Sequence, residues 1–162
     1  MPALIGGFGN WFIPLMIDEV PGIGPVLATA LVASVADPKA FRSARDFSAW
    51  IGLVPKQRSS GGREKLGNIS KHGDRYLRGL FTAGALAVIR YAKIHGTKHR
   101  PWLTALLARR PTKVAAIALA NKIARMAWAM MARSERYREP VALAISFSRF
   151  RDQNRRFVVP GR

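Results

Sequence analysis

A small all-α domain is what this sequence predicts, and three observations predict it. Apolar residues recur at three- and four-residue steps over two long stretches, about Asp74 to Ile94 and Thr112 to Arg133, and over two shorter ones near Phe47 and Leu103. That step places them on one face of a helix. Glycine and proline mark off the stretches from one another, as connections between helices require. At 162 residues, 49% of them hydrophobic, the chain has room for one domain with a real core.

The first element is an exception. Met1 to Ile17 carries no charge and ends sharply at Asp18-Glu19. It is slightly short for a membrane span of about 20 residues, and Pro2, Gly6, Gly7, Gly9 and Pro14 interrupt it. It lacks the basic start and small-residue cleavage site of a signal peptide. The expectation is an apolar appendage with poor helix propensity.

Val20-Pro21-Gly22-Ile23-Gly24-Pro25 then leads into an alanine-rich apolar run, VLATALVASV. A glycine-punctuated turn opening a buried helix fits a helix-hairpin-helix-like element, in which Gly22 and Gly24 would let backbone amides face a phosphate. The same residues also fit a tight turn into a core helix. As a dinucleotide fingerprint the motif fails, because no β-rich strand precedes it and the third glycine is missing.

Ser43-Ala44-Arg45-Asp46 has the form of a capping box, and Gly52 stands where the helix carrying Phe47, Trp50 and Ile51 would stop. Phe41, Phe47 and Trp50 are expected to pack rather than to stack on bases.

The segment from Lys56 to Leu80 is the chemical centre of the chain. Lys56, Arg58, Arg63, Lys65, Lys71, Arg75 and Arg78 surround a Ser59-Ser60-Gly61-Gly62 turn, offset only by Glu64 and Asp74. Gly61 and Gly62 allow close backbone approach to a ligand, and the serines put hydroxyls at the tip. One reading is a phosphate-binding loop between helices, and the other a solvated basic loop. Arg75 and Arg78, three apart, would share a helix face and extend the basic surface.

Beyond it, the helix from about Asp74 to Ile94 gives way at Gly96-Thr97-Lys98. A shorter helix bearing Trp102, Leu103, Leu106 and Leu107 ends at Arg109-Arg110-Pro111. The last, from about Thr112, is apolar at Val114, Ile117, Ala118, Ile123, Met126 and Met130, with Lys113, Lys122, Arg125 and Arg133 on its wet side. Residues 145–162, which include Arg149, Arg151, Arg155 and Arg156, are expected to form a disordered basic tail.

Charge narrows the function. Against 9 Asp+Glu there are 27 Lys+Arg, a net +18. A polyanionic partner follows, nucleic acid first and acidic membrane second. With no cysteine, disulfide frameworks and thiolate zinc sites are excluded. From Arg75 to Ser134 there is no acidic residue, and the acids elsewhere lack the convergence that metal-assisted phosphodiester cleavage needs. His95 and His99, with no carboxylate or thiol near, do not make a metal site, so none is expected in this chain. Nothing argues for secretion, and a cytoplasmic setting is the default.

Taken in order, Val20 to Pro25, Asp37-Pro38 with Phe41, Gly52-Leu53-Val54-Pro55, Ser59 to Gly62, Gly67 to Arg78 and Tyr137-Arg138-Glu139-Pro140 resemble the C-terminal transposase domain of the insertion-sequence one-ten family. The likeness covers about residues 19–144. It implies a DNA recombinase guided by a structured RNA from the element's end and acting as an assembly of several subunits. It also implies a separate N-terminal module, similar to the resolvase RuvC, whose acids hold Mg²⁺. The C-terminal module supplies an attacking serine, matched here by Ser60, with Ser59 as the alternative. Arg58, Arg63, Lys65, Lys71 and Arg78 would then stabilise charge developing on phosphate.

Met1 to Ile17 resembles a segment of subunit I of the haem-copper (cytochrome c) oxidases. None of that family's metal-binding histidines falls in it, and the implication is a chimeric reading frame. The acidic module is absent from this sequence, so the expectation is a truncated recombinase module that binds DNA without cutting it. A noncatalytic nucleic-acid-binding module is the competing reading. A third is a basic protein anchored on membrane through Met1 to Ile17, although stable membrane association is not expected.

Overall fold

The structure, a computed structural model, describes residues 17–57, 66–96, 100–134 and 137. Helix α1, Pro25–Ser34, starts on a proline at its first position, with Gly24 as N-cap, where a missing N–H costs nothing. A 3₁₀ turn, Pro38–Ala40, follows, and the Asp37 carboxylate accepts from the Lys39 amide at 2.8 Å. Helix α2, Ala44–Ile51, is capped by Ser43, whose hydroxyl accepts from the Asp46 amide at 3.2 Å, and stops at Gly52 with φ +83°.

Strands β1, Pro55–Gln57, and β2, Leu66–Ile69, pair antiparallel. Pro55 faces Ile69 and Gln57 faces Leu66, so β2 carries an extra residue and the ladder bulges. Helix α3, Arg75–His95, is capped by the Asp74 carboxylate, which accepts from the Tyr76 and Leu77 amides at 2.7 and 3.0 Å. Helix α4, Pro101–Arg109, and helix α5, Thr112–Arg133, complete the described residues. The all-α class holds with one addition, the small two-stranded sheet.

The core lies between α3 and α5, with α1 against α3, and α2 and α4 against α5. Leu77, Phe81, Ala85 and Ile89 of α3 are buried, as are Ala120, Ile123, Ala124 and Ala127 of α5. Alanines along the seam let the two axes approach closely. Two further ties fix the outer elements. Trp128 Nε1 donates to the Pro38 carbonyl at 2.9 Å, and Phe41, Phe47 and Trp50 form an aromatic cluster with centroids 5.2 to 5.9 Å apart. Phe47 is fully buried in it, whereas Trp50 stays 39% exposed at its edge.

By length and composition α5 could cross a membrane, but half of its most apolar stretch is buried within the protein. Its apolar side is the core's own wall. Ile17 is buried with Val20, whose amide donates to the Ile17 carbonyl at 3.1 Å. The rest of the oxidase-like segment, residues 1–16, lies outside the described residues, as does the expected basic tail at 145–162.

Candidate nucleic-acid interface

The serine turn joins the two arms of a hairpin rather than two helices. Residues 58–65 connect β1 to β2. Ser59, Ser60, Gly61, Gly62, Arg58, Arg63 and Lys65 therefore all lie outside the described residues. The described geometry is that of the hairpin base on either side of these residues.

That base is heavily tied. The Leu53 amide donates to the Ser48 carbonyl at 3.0 Å, the Ser70 amide to the Val54 carbonyl at 2.9 Å, and the Lys71 amide to the Gly52 carbonyl at 3.3 Å. From α5, Asn121 Nδ2 donates to the Leu53 carbonyl at 3.3 Å. From α3, Arg78 Nη1 donates to the Ile51 and Gly73 carbonyls, each at 3.1 Å. Gly52 and Gly73 allow the chain to cross itself here: a Cβ at Gly73 would overlap the Trp50 carbonyl, and one at Gly52 would lie 2.9 Å from the Gly73 amide. No larger residue fits either place without moving the backbone. Both arms of the hairpin are thereby fixed to three helices.

The expected contact residues divide on this frame. Lys56, on β1, and Lys71, just past β2 at φ +59°, are exposed. Arg75 is exposed in the first turn of α3. Arg78, three residues on, is partly buried beneath the hairpin with Nη1 engaged on backbone oxygens, so part of its guanidinium holds the fold. At the other glycine-rich turn, Gly22 has φ +100° and a Cβ there would lie 2.7 Å from Ile123 Cδ1 and 3.1 Å from Val88 Cγ2. Its shape is set by packing on α3 and α5. Gly24 is exposed at the start of α1.

The described donors do not fit a Mg²⁺ site. No three of His, Cys, Asp or Glu cluster among the described residues, and Asp37 and Asp74 spend a carboxylate oxygen on backbone amides. No step can be routed through a metal held by these residues.

Beside the hairpin lies a groove of about 1220 Å³. It is lined by Pro55 and by Gly67, Asn68 and Ile69 of β2, by Trp102 of α4 and by residues along α5. Lys71, Lys113, Lys122, Arg125 and Arg133 line it, and no described lining residue is acidic. Lys122 Nζ sits 4.6 Å from the centroid of the Trp102 ring, within cation–π range. Sequence reasoning put these α5 cations on a wet helix face without linking them to the hairpin. The available signal was the acid-free run from Arg75 to Ser134.

The hairpin and groove define a helical, cationic domain whose serine turn is mounted on a fixed base. The sequence profile described as the Transposase IS116/IS110/IS902 family matches residues 16–100, just over half of the chain and all of the hairpin. This chain belongs to that family. It is 52% identical over 119 residues to a Pseudomonas aeruginosa protein named "Probable family 20 transposase", covering 74% of this chain and 35% of that one. To the "Transposase for insertion sequence element IS1111A" of Coxiella burnetii it is 45% identical over 122 residues, 75% of this chain and 34% of the other. To the "Transposase for insertion sequence element IS1328" of Yersinia enterocolitica it is 41% identical over 109 residues, 67% and 33% respectively. The chain spans about a third of the length of these curated relatives.

Proposed function

We propose that this chain is the DNA-binding, serine-bearing part of a transposase, with Ser60 as the nucleophile. The carrying observation is the hairpin base: the Ser59-Ser60-Gly61-Gly62 segment falls between two arms that α2, α3 and α5 tie down. A nucleophile gains from such mounting because misplacement by about 1 Å can cost 100-fold in rate.

In the proposed step the Ser60 Oγ forms a bond to phosphorus as the bond from phosphorus to one sugar oxygen breaks. The serine proton passes to water and the departing oxygen takes one back, so a free sugar hydroxyl and a serine phosphodiester result. The reaction exchanges one phosphodiester for another and is reversible in energy, as strand transfer requires. Lys56 and Lys71, exposed at the hairpin arms, together with Arg58, Arg63 and Lys65 of the turn, supply positive charge to the phosphate oxygens. Arg75 and the exposed Gly24 amide at the start of α1 extend the contact to flanking phosphates.

The carboxylates that hold Mg²⁺ belong, in this reading, to a separate acidic module acting with this one in an assembly of several subunits. A structured RNA from the element guides it, in the cytoplasm. Taken by itself the chain binds DNA and leaves it uncut.

The test replaces the matching segment of the Pseudomonas aeruginosa relative with residues 16–137 of this chain and measures cleavage of element-end DNA. Ser60→Ala should lower cleavage by about 10⁴-fold or more while DNA affinity is kept, and Ser59→Ala should retain cleavage. Unchanged cleavage in Ser60→Ala removes the assignment.

A further inference from the structure

The groove beside the hairpin has the makings of a second contact, distinct from the serine turn. Its α5 residues include Val114, 51% exposed, with Ala118 and Ala129 only partly covered. Trp102, which also lines the groove, is 40% exposed, so a ligand in the groove can reach its ring. Cations at Lys71, Lys113, Lys122, Arg125 and Arg133 surround this apolar strip, and the described lining contains no carboxylate to neutralise them. An apolar strip framed by unopposed positive charge is complementary to a ligand with flat apolar faces on an anionic backbone.

Shape narrows the ligand. Proteins read duplex DNA with convex elements that enter its grooves, whereas here the protein surface is concave. Concave cationic tracks with an aromatic platform suit single strands, whose bases can leave the stack and lie on a ring. The groove also exceeds the roughly 300 to 1,000 Å³ of ordinary small-molecule pockets. From Lys113 to Arg133, the α5 cations extend along about 30 Å of helix. Lys122 and Trp102 are already paired at 4.6 Å, so a phosphate and the base beside it could be met together.

We infer that this groove binds an unpaired stretch of single-stranded DNA, with phosphates on Lys113, Lys122 and Arg125 and a base against Trp102. The strand is DNA because the chain belongs to a transposase family and Gly67, Asn68 and Ile69 of the hairpin's second strand line the groove. The choice of DNA over RNA rests on the proposed function; the binding itself does not.

The experiment uses the full chain and a short oligothymidylate carrying 5-iododeoxyuridine. Ultraviolet crosslinking followed by peptide mapping should place adducts on Trp102 and on peptides from β2 and α5. Adducts confined to other segments overturn the inference. By fluorescence anisotropy, Trp102→Ala should weaken oligothymidylate binding by about 5- to 150-fold, and Trp102→Phe should restore most of it. Arg125→Gln, an exposed change that leaves the core untouched, should lower the slope of log affinity against log salt by about 0.7. Duplex DNA and oligouridylate should respond to these variants by less than twofold. If either responds as strongly as the oligothymidylate, the groove serves a different nucleic acid and the inference fails. Binding is read in the full chain and cleavage in the chimera, so loss of groove binding and loss of cleavage report on separate claims.

Discussion

Gly84→Ala should destabilise the protein although it puts a better helix former in the middle of α3. A Cβ at Gly84 would overlap the Gly22 carbonyl oxygen and lie 2.9 Å from its carbon. The obstacle is backbone, and Gly22 is itself wedged against Ile123 and Val88, so no side-chain rotation relieves it. Helix propensity favours alanine over glycine by about 1 kcal/mol. Forcing a methyl into a filled seam costs about 1 to 3 kcal/mol and more where backbone must move. The net expectation is a loss of up to about 2 kcal/mol, and more where backbone must move. Gly79 supplies the control: it lies in the same helix, is exposed, and a Cβ there would meet nothing within 4 Å. Gly79→Ala should therefore gain close to the full 0.8 to 1 kcal/mol or so of propensity. Urea unfolding followed by far-ultraviolet circular dichroism should separate the two variants by about 1 to 3 kcal/mol or more. Equal stability of Gly84→Ala and Gly79→Ala would refute the close approach of α3 to the glycine-rich turn.

Three other outcomes follow from the same packing. Arg78→Met removes the donor shared by the Ile51 and Gly73 carbonyls and should cost about 1.5 to 3 kcal/mol; hydrogen exchange should show faster opening at Leu53, Ser70 and Lys71. Asp74→Ala uncaps α3 and should cost about 1 kcal/mol, most of it recovered in Asp74→Asn, by thermal melting. Ile123→Ala opens the seam between α3 and α5 and should cost about 2 to 5 kcal/mol in urea.

The long helices were legible because their signal is repetitive. Leu77, Phe81 and Ile89, or Ile123, Ala127 and Met130, state the same face many times, and Ser43 and Gly52 give the ends of α2. The strands were not. Pro55-Lys56-Gln57 and Leu66-Gly67-Asn68-Ile69 are too short and too polar to alternate, and the pairing depends on ties from Arg78 and Asn121 that lie far off in sequence. Arg78 itself shows the limit of counting charge: a cation on a basic helix face also serves as a brace for the fold. Val114 shows the converse, since an apolar residue at core spacing lies exposed along the groove. For Gly22 the local pattern leaves amide presentation and a tight turn into a core helix both open, and its packing on Gly84 depends on a helix more than sixty residues away, which local pattern does not report.

The central claim is that the tethered hairpin presents Ser60 to a phosphodiester. It is tested most directly by trapping the covalent protein–DNA adduct in the chimera with the Pseudomonas aeruginosa relative and sequencing the DNA-linked peptide. The account predicts that the label falls on Ser60 and disappears in Ser60→Ala. An adduct on any other residue, or one that persists in Ser60→Ala, contradicts it.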